Sequence, residues 1–287
     1  MTTLVQFARL YPTISLGIKP RSVEQLVVAA RQFAAWAGGS LPFAKLSDEL
    51  LTAYLADLAR RRRPATVNSK RRAILTVWRA AARKGLVKPP GEIPKMPEPY
   101  RMPEAWTIAE VEYLLAQCRM LDGVVGDVPR RHWWPALLLT VYDTGGRIGA
   151  VRAVQTADYN PSERYVIFRA ENQKPNRDEL HWLSDQTVAA LAAVYDPQRS
   201  LLFPWPHHRQ YLWTYFRRLV DRIGLNGGRN HAALFHKLRR TSGSYIEAAG
   251  GDGAQHLGHL PEVFARSYRD PRICRRRQVD LLPRPKF

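Results

Sequence analysis

The chain has 287 residues and is 45% hydrophobic, enough for a packed core in one large domain or two ordinary ones. Two cysteines, Cys118 and Cys274, exclude a disulfide framework and suit a reducing compartment, and no apolar run approaches the 18 residues of a membrane span. Forty-four Lys and Arg stand against 25 Asp and Glu, a net charge of +19 carried mainly by arginine, whose planar fork of donors fits phosphate oxygens, so a nucleic acid is the first partner class to consider.

The N-terminal stretch MTTLVQFARLYPTISLGIK lacks the basic start and apolar run of a signal peptide, and the expected location is cytoplasmic. From there the first part of the chain reads as helical. Ser22 with Gln25 has the spacing of a capping box. Leu26, Ala30, Phe33 and Ala37 then recur at helical spacing until Gly38-Gly39 ends the run. Ser47, followed by Asp48 and Glu49, starts another helix with Leu50, Leu51, Tyr54, Leu55 and Leu58 on its inner side. Pro64 suits the first turn of the next, whose apolar stripe is Val67, Ile74, Trp78 and Ala81.

Cations crowd the start of that helix: Arg60, Arg61, Arg62, Arg63, Lys70, Arg71 and Arg72. Most charge runs are solvated faces. Cations at a helix N-terminus oppose its dipole, however, and an external anion relieves the conflict. The expected phosphate-contacting set is Arg61, Arg62, Arg63, Thr66, Asn68, Lys70 and Arg71. KPPGEIPKMPEPYRMPE, residues 88–104, follows with six prolines and reads as a semi-rigid linker. It separates a domain over 1–102 from a second over 103–287.

The second part reads as mixed α/β. Thr107 with Glu110 caps its first helix, and WWPALLLTVY at 133–142 is short enough to be a buried core helix. In VYDTGGRIGAVRAV, 141–154, two glycines end one helix and Arg147 begins another, placing Arg147 to hold a phosphate while Arg152 reads as a surface residue. SERYVIFRAENQKPNRDELHWLS, 162–184, reads as a β-hairpin. Tyr165, Ile167, Leu180 and Trp182 would face inward, around a loop of Asn172, Lys174, Pro175 and Asn176. His236 and Arg239 share a helix face. His259 follows Gly258 in a turn, and Pro261 opens a helix that presents Tyr268 two turns later. The fold class expected is mainly α with a small β-sheet, ending in a basic tail, RICRRRQVDLLPRPKF.

Several chemistries have no foothold. There is no P-loop, no G-x-G-x-x-G, no zinc-ligand spacing, no carboxylate cluster for two metals and no G-x-S-x-G elbow, so no metal and no cofactor is expected. What remains is basic and aromatic. A lone tyrosine on a helix is usually a core residue with a wet hydroxyl, and H-x-x-R alone is weak.

Four boxes in order change that reading. TGGRIGAVRAV, HKLRRT, HLGH and ARSYRD, with Tyr268 nine residues after His259, resemble the signature boxes of the tyrosine recombinases, also called the phage integrase family. The resemblance takes in the whole chain. It implies an N-terminal helical core-binding domain of SAM-like type and a C-terminal catalytic domain, closing as a clamp around duplex DNA. A first helix beginning near residue 22 would leave no room for a separate arm-binding domain. The implied activity is site-specific cutting and rejoining of DNA through a covalent 3′-phosphotyrosine and a Holliday junction, without metal or ATP. Implied partners are double-stranded DNA with inverted-repeat core sites, further copies of the chain in a tetramer on two sites, and accessory proteins. No membrane is involved, and the tail would dock on a neighbouring subunit.

Carried over by position, Arg147 and Arg239 match the arginines that hold the scissile phosphate, and Tyr268 matches the nucleophile. Lys174 matches the hairpin general acid, His236 the histidine that shares the tyrosine proton, and His259 the histidine (or tryptophan) that hydrogen-bonds the phosphate. Two positions depart from the pattern. Ala150 stands where an acidic residue is common, leaving the support of Arg147 to Asp143 or another group, and Arg240 stands where histidine is common. The competing readings are a type IB topoisomerase and a DNA-binding regulator without catalysis.

Overall fold

The computed structural model describes residues 2–14, 18–174, 176–228 and 233–274, and the side chains of all of these except 11–14. The chain divides into two compact units, Met1–Tyr100 and Arg101–Phe287.

The first unit packs α1 (Leu4–Ile14), α2 (Pro20–Trp36), α3 (Asp48–Ala59) and α4 (Pro64–Arg83) around one core. The first helix therefore begins at Leu4, not near residue 22. Its start is a capping box that the sequence reading overlooked: Thr3 N donates to Gln6 Oε1 at 2.9 Å, and Gln6 N donates to Thr3 Oγ1 at 3.2 Å. α2 begins at Pro20 with Lys19 as its N-cap, two residues before the expected Ser22 cap. The proline ring already holds the helical φ and lacks the amide that a cap would satisfy, so it takes the first turn. Ser47 caps α3 as expected, accepting from Leu50 N at 3.2 Å.

Leu26, Phe33, Tyr54, Ile74 and Trp78 fill this core, with the Phe33 and Tyr54 rings 5.0 Å apart. The first half of the proline-rich stretch is held against it. Ile93 is buried, Lys88 O accepts from Trp78 Nε1 at 2.7 Å, and Gly91 N donates to the Asp48 carboxylate at 3.0 Å.

The second unit opens with α5 (Ile108–Arg119), whose Thr107/Glu110 capping box is complete. The short strands β1 (Val124–Val125) and β2 (Val128–Pro129) lead into α6 (Arg130–Thr144). α6 is buried nearly all round, from Trp133 to Val141, as its apolar run requires. Trp134 stacks on Tyr215 and Phe216 at 5.2 and 5.6 Å. Then come α7 (Ile148–Val151), β3 (Tyr159–Asn160), β4 (Tyr165–Phe168), β5 (Glu179–Trp182), α8 (Asp185–Ala192) and α9 (Arg209–Arg222). The unit closes with α10 (Leu234–Ala248), α11 (Gly253–His256), α12 (Pro261–Ser267) and α13 (Pro271–Cys274).

The expected hairpin exists as β4 and β5, with β3 added to make an antiparallel sheet in the order β3-β4-β5. Its faces are the reverse of the expectation. Val166 and Phe168 are buried, while Leu180 and Trp182 are exposed. Register pairs Val166 with His181 and Phe168 with Glu179, so the inner face of β5 carries the two polar residues. Hydrophobicity alone chose the wrong phase of a two-residue repeat, because the inner face of β5 serves a polar site and not the core. Among the described residues no helix is long and apolar enough to cross a membrane. The basic tail beyond Cys274, with its expected docking on a neighbour, and Pro175 of the hairpin loop lie outside the described residues.

Candidate active site

All six residues singled out for chemistry belong to the second unit. Arg239 is the organising side chain. It lies on the inner face of α10 and is 3% exposed, so its charge has to be met by protein. Its guanidinium donates to Gly145 O and Leu257 O and to His259 Nε2 at 3.1 Å. One carbonyl ends α6 and the other ends α11, so a single fork ties the first arginine box to the H-L-G-H box. Arg239 Nε remains buried without a partner among the described residues.

Gly145 makes this approach feasible. It terminates α6 in the left-handed region at φ 56°. A Cβ there would collide with Leu257 and come within 2.9 Å of His256 Nε2. Arg147 follows as the residue before α7. Its carbonyl accepts from Ala150 N and Val151 N, but its side chain makes no hydrogen bond or ion pair among the described residues, and its charge acts on Arg239, His236 and His259. Asp143 does not support it. That carboxylate accepts from Ser184 N and Ser184 Oγ, both at 2.7 Å, and so fixes the start of α8.

Burial, then the neighbouring Arg147 charge, pushes Arg239 down to about 10, with Tyr268 pulling the other way. Two guanidinium groups that act on each other thus have no carboxylate bonded to either among the described residues. An anion seated between them would relieve that repulsion.

Tyr268 caps the C-terminus of α12 and packs on the small cluster of Ala254, Leu257 and Phe264. The Arg239 guanidinium lies 5.5 Å from its ring centroid. His259, placed by the turn at Gly258 (φ 60°), stacks on the Tyr268 ring at 4.5 Å. Arginine only donates, so His259 Nε2 accepts and Nδ1 carries the ring proton, free to point at a ligand.

His236 precedes Arg239 by one turn of α10. Burial first, then arginine charge, holds both His236 and His259 down to about 4. The His236 side chain is exposed to solvent. Lys174 stands exposed on the β4–β5 loop, and its charge reaches His259. The arrangement therefore offers a tyrosine hydroxyl beside two arginines, two neutral histidines and a lysine.

Further residues join the site that sequence reasoning passed over. His256 bonds Ser242 Oγ at 2.7 Å and is pushed down to about 4 by burial. The H-L-G-H box contained it, but only the fold turns it toward Gly145. Glu179 holds Arg177 at 2.9 Å and is the carboxylate whose charge acts on Arg239. His181, beside it on the inner face of β5, is held down by burial. Arg152, read as a surface residue, is half-buried, with its Nε enclosed.

In the first unit, Arg62, Thr66 and Lys70 line a cleft with Gln32, Trp36 and Tyr54. Arg61 also lines it and pairs with Asp57, and Arg63 is exposed beside the start of α4. Two members of the expected set do not join them. Asn68 is buried, bonded to Met96 N at 2.9 Å and Met96 O at 3.0 Å, and Arg71 donates to Ile93 O at 2.7 Å. Both secure the proline-rich stretch, because residues 67, 68, 71, 74 and 75 follow the inner stripe of α4 and not its outer face.

Solved structures share this architecture. A lambda integrase dimer bound to a COC′ core site superposes with a TM-score of 0.68 at 17% identity, covering 99% of each chain. The Tn1549 transposon integrase in complex with circular intermediate DNA gives 0.69 at 14% identity, over 94% of this chain and 95% of that one. A lambda integrase tetramer bound to a Holliday junction gives 0.68 at 17%, over 94% and 78%. The chain has the fold of these integrases. No protein-family model and no curated protein matches it.

Proposed function

We propose that the protein is a site-specific DNA recombinase of the tyrosine type, acting on duplex DNA as an assembly of several copies. The observation that carries this reading is Arg239, whose guanidinium lies over the Tyr268 ring and feels the Arg147 charge, with His259 stacked on the same ring. Two cationic forks and a phenol are the requirements for phosphotyrosyl transfer, and the neighbouring histidines are held neutral.

In the proposed reaction the Tyr268 oxygen attacks a phosphodiester. The P–O bond to the departing 5′ oxygen breaks, and the DNA 3′ phosphate stays on the tyrosine. His236, neutral, takes the phenolic proton. Arg147 and Arg239 hold the non-bridging oxygens, where charge builds up, and His259 Nδ1–H donates to one of them. Lys174 protonates the 5′ oxygen as it leaves. Attack by a 5′ hydroxyl from a second duplex reverses the chemistry and exchanges strands. The intact phosphotyrosine conserves the bond energy, so rejoining needs no ATP.

Strand exchange of this kind passes through a Holliday junction, and four copies on two sites with inverted-repeat cores are the simplest arrangement that performs it. The first unit is proposed to bind the same DNA through Arg61, Arg62, Thr66 and Lys70, with Arg63 at the margin. A cytoplasmic site of action follows from the substrate.

The test is covalent trapping. Wild type and Tyr268→Phe are incubated with a pool of nicked duplexes in EDTA and denatured in SDS. An adduct formed by wild type alone supports the reading, and sequencing the trapped DNA defines the target. An adduct formed by both proteins removes Tyr268 from its role. Relaxation of supercoiled plasmid by a monomer, without strand exchange between sites, would favour a topoisomerase.

A further inference from the structure

Asp270, two residues beyond Tyr268, is completely buried, and nothing in the proposed reaction uses it. A carboxylate without solvent needs several donors to remain there. Asp270 has them. Oδ2 accepts from Ala105 N at 2.8 Å, and Oδ1 accepts from Arg272 N at 2.9 Å and Arg272 Nε at 3.0 Å. Burial works against the charge, but Arg272 and the two amides outweigh it and hold the carboxyl below its usual range.

The backbone of the same residue reaches back toward the tyrosine. Asp270 N donates to Ser244 Oγ at 3.0 Å, and Ser244 Oγ donates to Tyr268 O at 3.2 Å. Ser244 is itself buried in α10, the helix that carries His236 and Arg239. One turn earlier on α10, Arg240 Nε donates to Ser267 O at 3.0 Å. The residues on either side of Tyr268 are thus pinned to the helix that presents the second arginine.

The other end of the network is equally fixed. Ala105 is followed by Trp106, whose N donates to Thr241 Oγ1 at 2.9 Å, and by Ile108, whose N donates to the Tyr245 hydroxyl at 3.1 Å. Residues 105–108 are therefore bonded along α10 as well. Ala105 immediately follows Pro103 and Glu104, the end of the proline-rich stretch, within the second unit.

We infer that Asp270 is a positioning residue: it joins the backbone of the nucleophile's segment to Ala105 and α10, and so sets where the Tyr268 oxygen stands relative to Arg147 and Arg239. This rests on the recombinase reading for its catalytic consequence, not for its geometry. The physical reason is the short reach of the reaction. Tyr268 is the last residue of its helix turn, and the chain on its C-terminal side would swing freely without an anchor. A misplacement of about 1 Å costs on the order of 10²-fold in rate. The Asp270 carboxylate adds to the bonds from Arg240 and Ser244 the tie that joins this segment to Ala105, without touching the substrate. Any movement of the entry at Ala105 is carried to Tyr268 through the same carboxylate.

The experiment uses the full chain, with Asp270→Ala and the milder Asp270→Asn, which retains one acceptor for Ala105 N. Three quantities are read: DNA affinity, the rate of adduct formation on saturating nicked duplex, and amide hydrogen exchange over residues 265–274. The expected result is affinity within about twofold of wild type and a rate lower by about 10²-fold for Ala. Asn should recover part of the rate, with faster exchange confined to 265–274. A folded Asp270→Ala that cleaves at the wild-type rate overturns the inference. So does exchange that rises across the whole second unit together with lost affinity, which marks a purely structural carboxylate. If Asp270→Ala does not fold, the Asn variant decides by the same criteria. Absence of an adduct from wild type would overturn the recombinase reading instead, and the exchange data would still judge the anchor.

Discussion

The ring of His259 lies against the ring of Tyr268, with 4.5 Å between centroids and 28° between planes, while its Nε2 receives an Arg239 N–H at 3.1 Å. One imidazole thus braces the Tyr268 ring and the arginine fork together. The proposed reaction asks His259 for two things, bracing and donation to phosphate. His259→Ala removes both, and His259→Trp keeps a flat ring with one N–H donor. Adduct formation should fall by about 10²–10³ in the alanine variant and recover substantially in the tryptophan variant. Single-turnover cleavage of nicked DNA measures this, and equal loss in both variants would remove the stacking role.

The two arginines should separate by stability. The Arg147 side chain has no partner among the described residues, whereas the Arg239 side chain satisfies two buried carbonyls. Arg147→Ala and Arg239→Ala should each cost cleavage about 2.7–4 kcal/mol, or about 10²–10³ in rate. Only Arg239→Ala should also lower the Tm, because Gly145 O and Leu257 O lose their donor, a loss on the order of 1–3 kcal/mol. Thermal melts beside kinetics decide it. A lowered Tm for Arg147→Ala would mean that it has a structural partner.

Acid should destabilise the second unit through its histidines. Unfolded histidine titrates near 6.5. Burial first, then nearby cations, holds folded His256 and His259 down to about 4. Between those values the unfolded chain binds protons that the folded chain refuses. Stability is therefore complete above about 6.5 and is lost as the pH falls toward 4. Urea midpoints from pH 7.5 to 4.5 should show this decline, and His256→Gln, away from the reacting atoms, should flatten it. An unchanged slope in that variant would show that His256 titrates normally.

The first unit makes a sharper distinction among residues that look alike in sequence. Lys70 and Arg62 line the open cleft, while Arg71 and Asn68 are bonded to residues 93–98. Lys70→Ala and Arg62→Ala should each lower the salt slope of DNA binding by about 0.9 with little change in Tm. Asn68→Ala should lower the Tm and leave the slope intact. Binding titrations at several salt concentrations, with melts alongside, test both.

The candidate site was legible in the sequence because its residues lie in short contiguous boxes. T-G-G-R, H-K-L-R, H-L-G-H and the tyrosine nine residues later name Arg147, His236, Arg239, His259 and Tyr268 without any knowledge of the fold. Helix starts with a serine or threonine cap, at Ser47 and Thr107, were legible for the same local reason. What sequence could not decide was which face of an element turns inward, since that depends on partners far along the chain. β5 turned its glutamate and histidine to the site and left Leu180 and Trp182 in solvent. Arg71 and Asn68 turned to a segment more than twenty residues away. Asp270 had no local signature, because its donors come from Ala105, 165 residues earlier, and from an arginine that only the α12–α13 turn brings round. The boxes in the sequence were enough to pick out the candidate groups that the fold gathers around Arg239. Only the tertiary structure decided what holds them in place, because a buried polar group is fixed by the donors that long-range packing delivers to it.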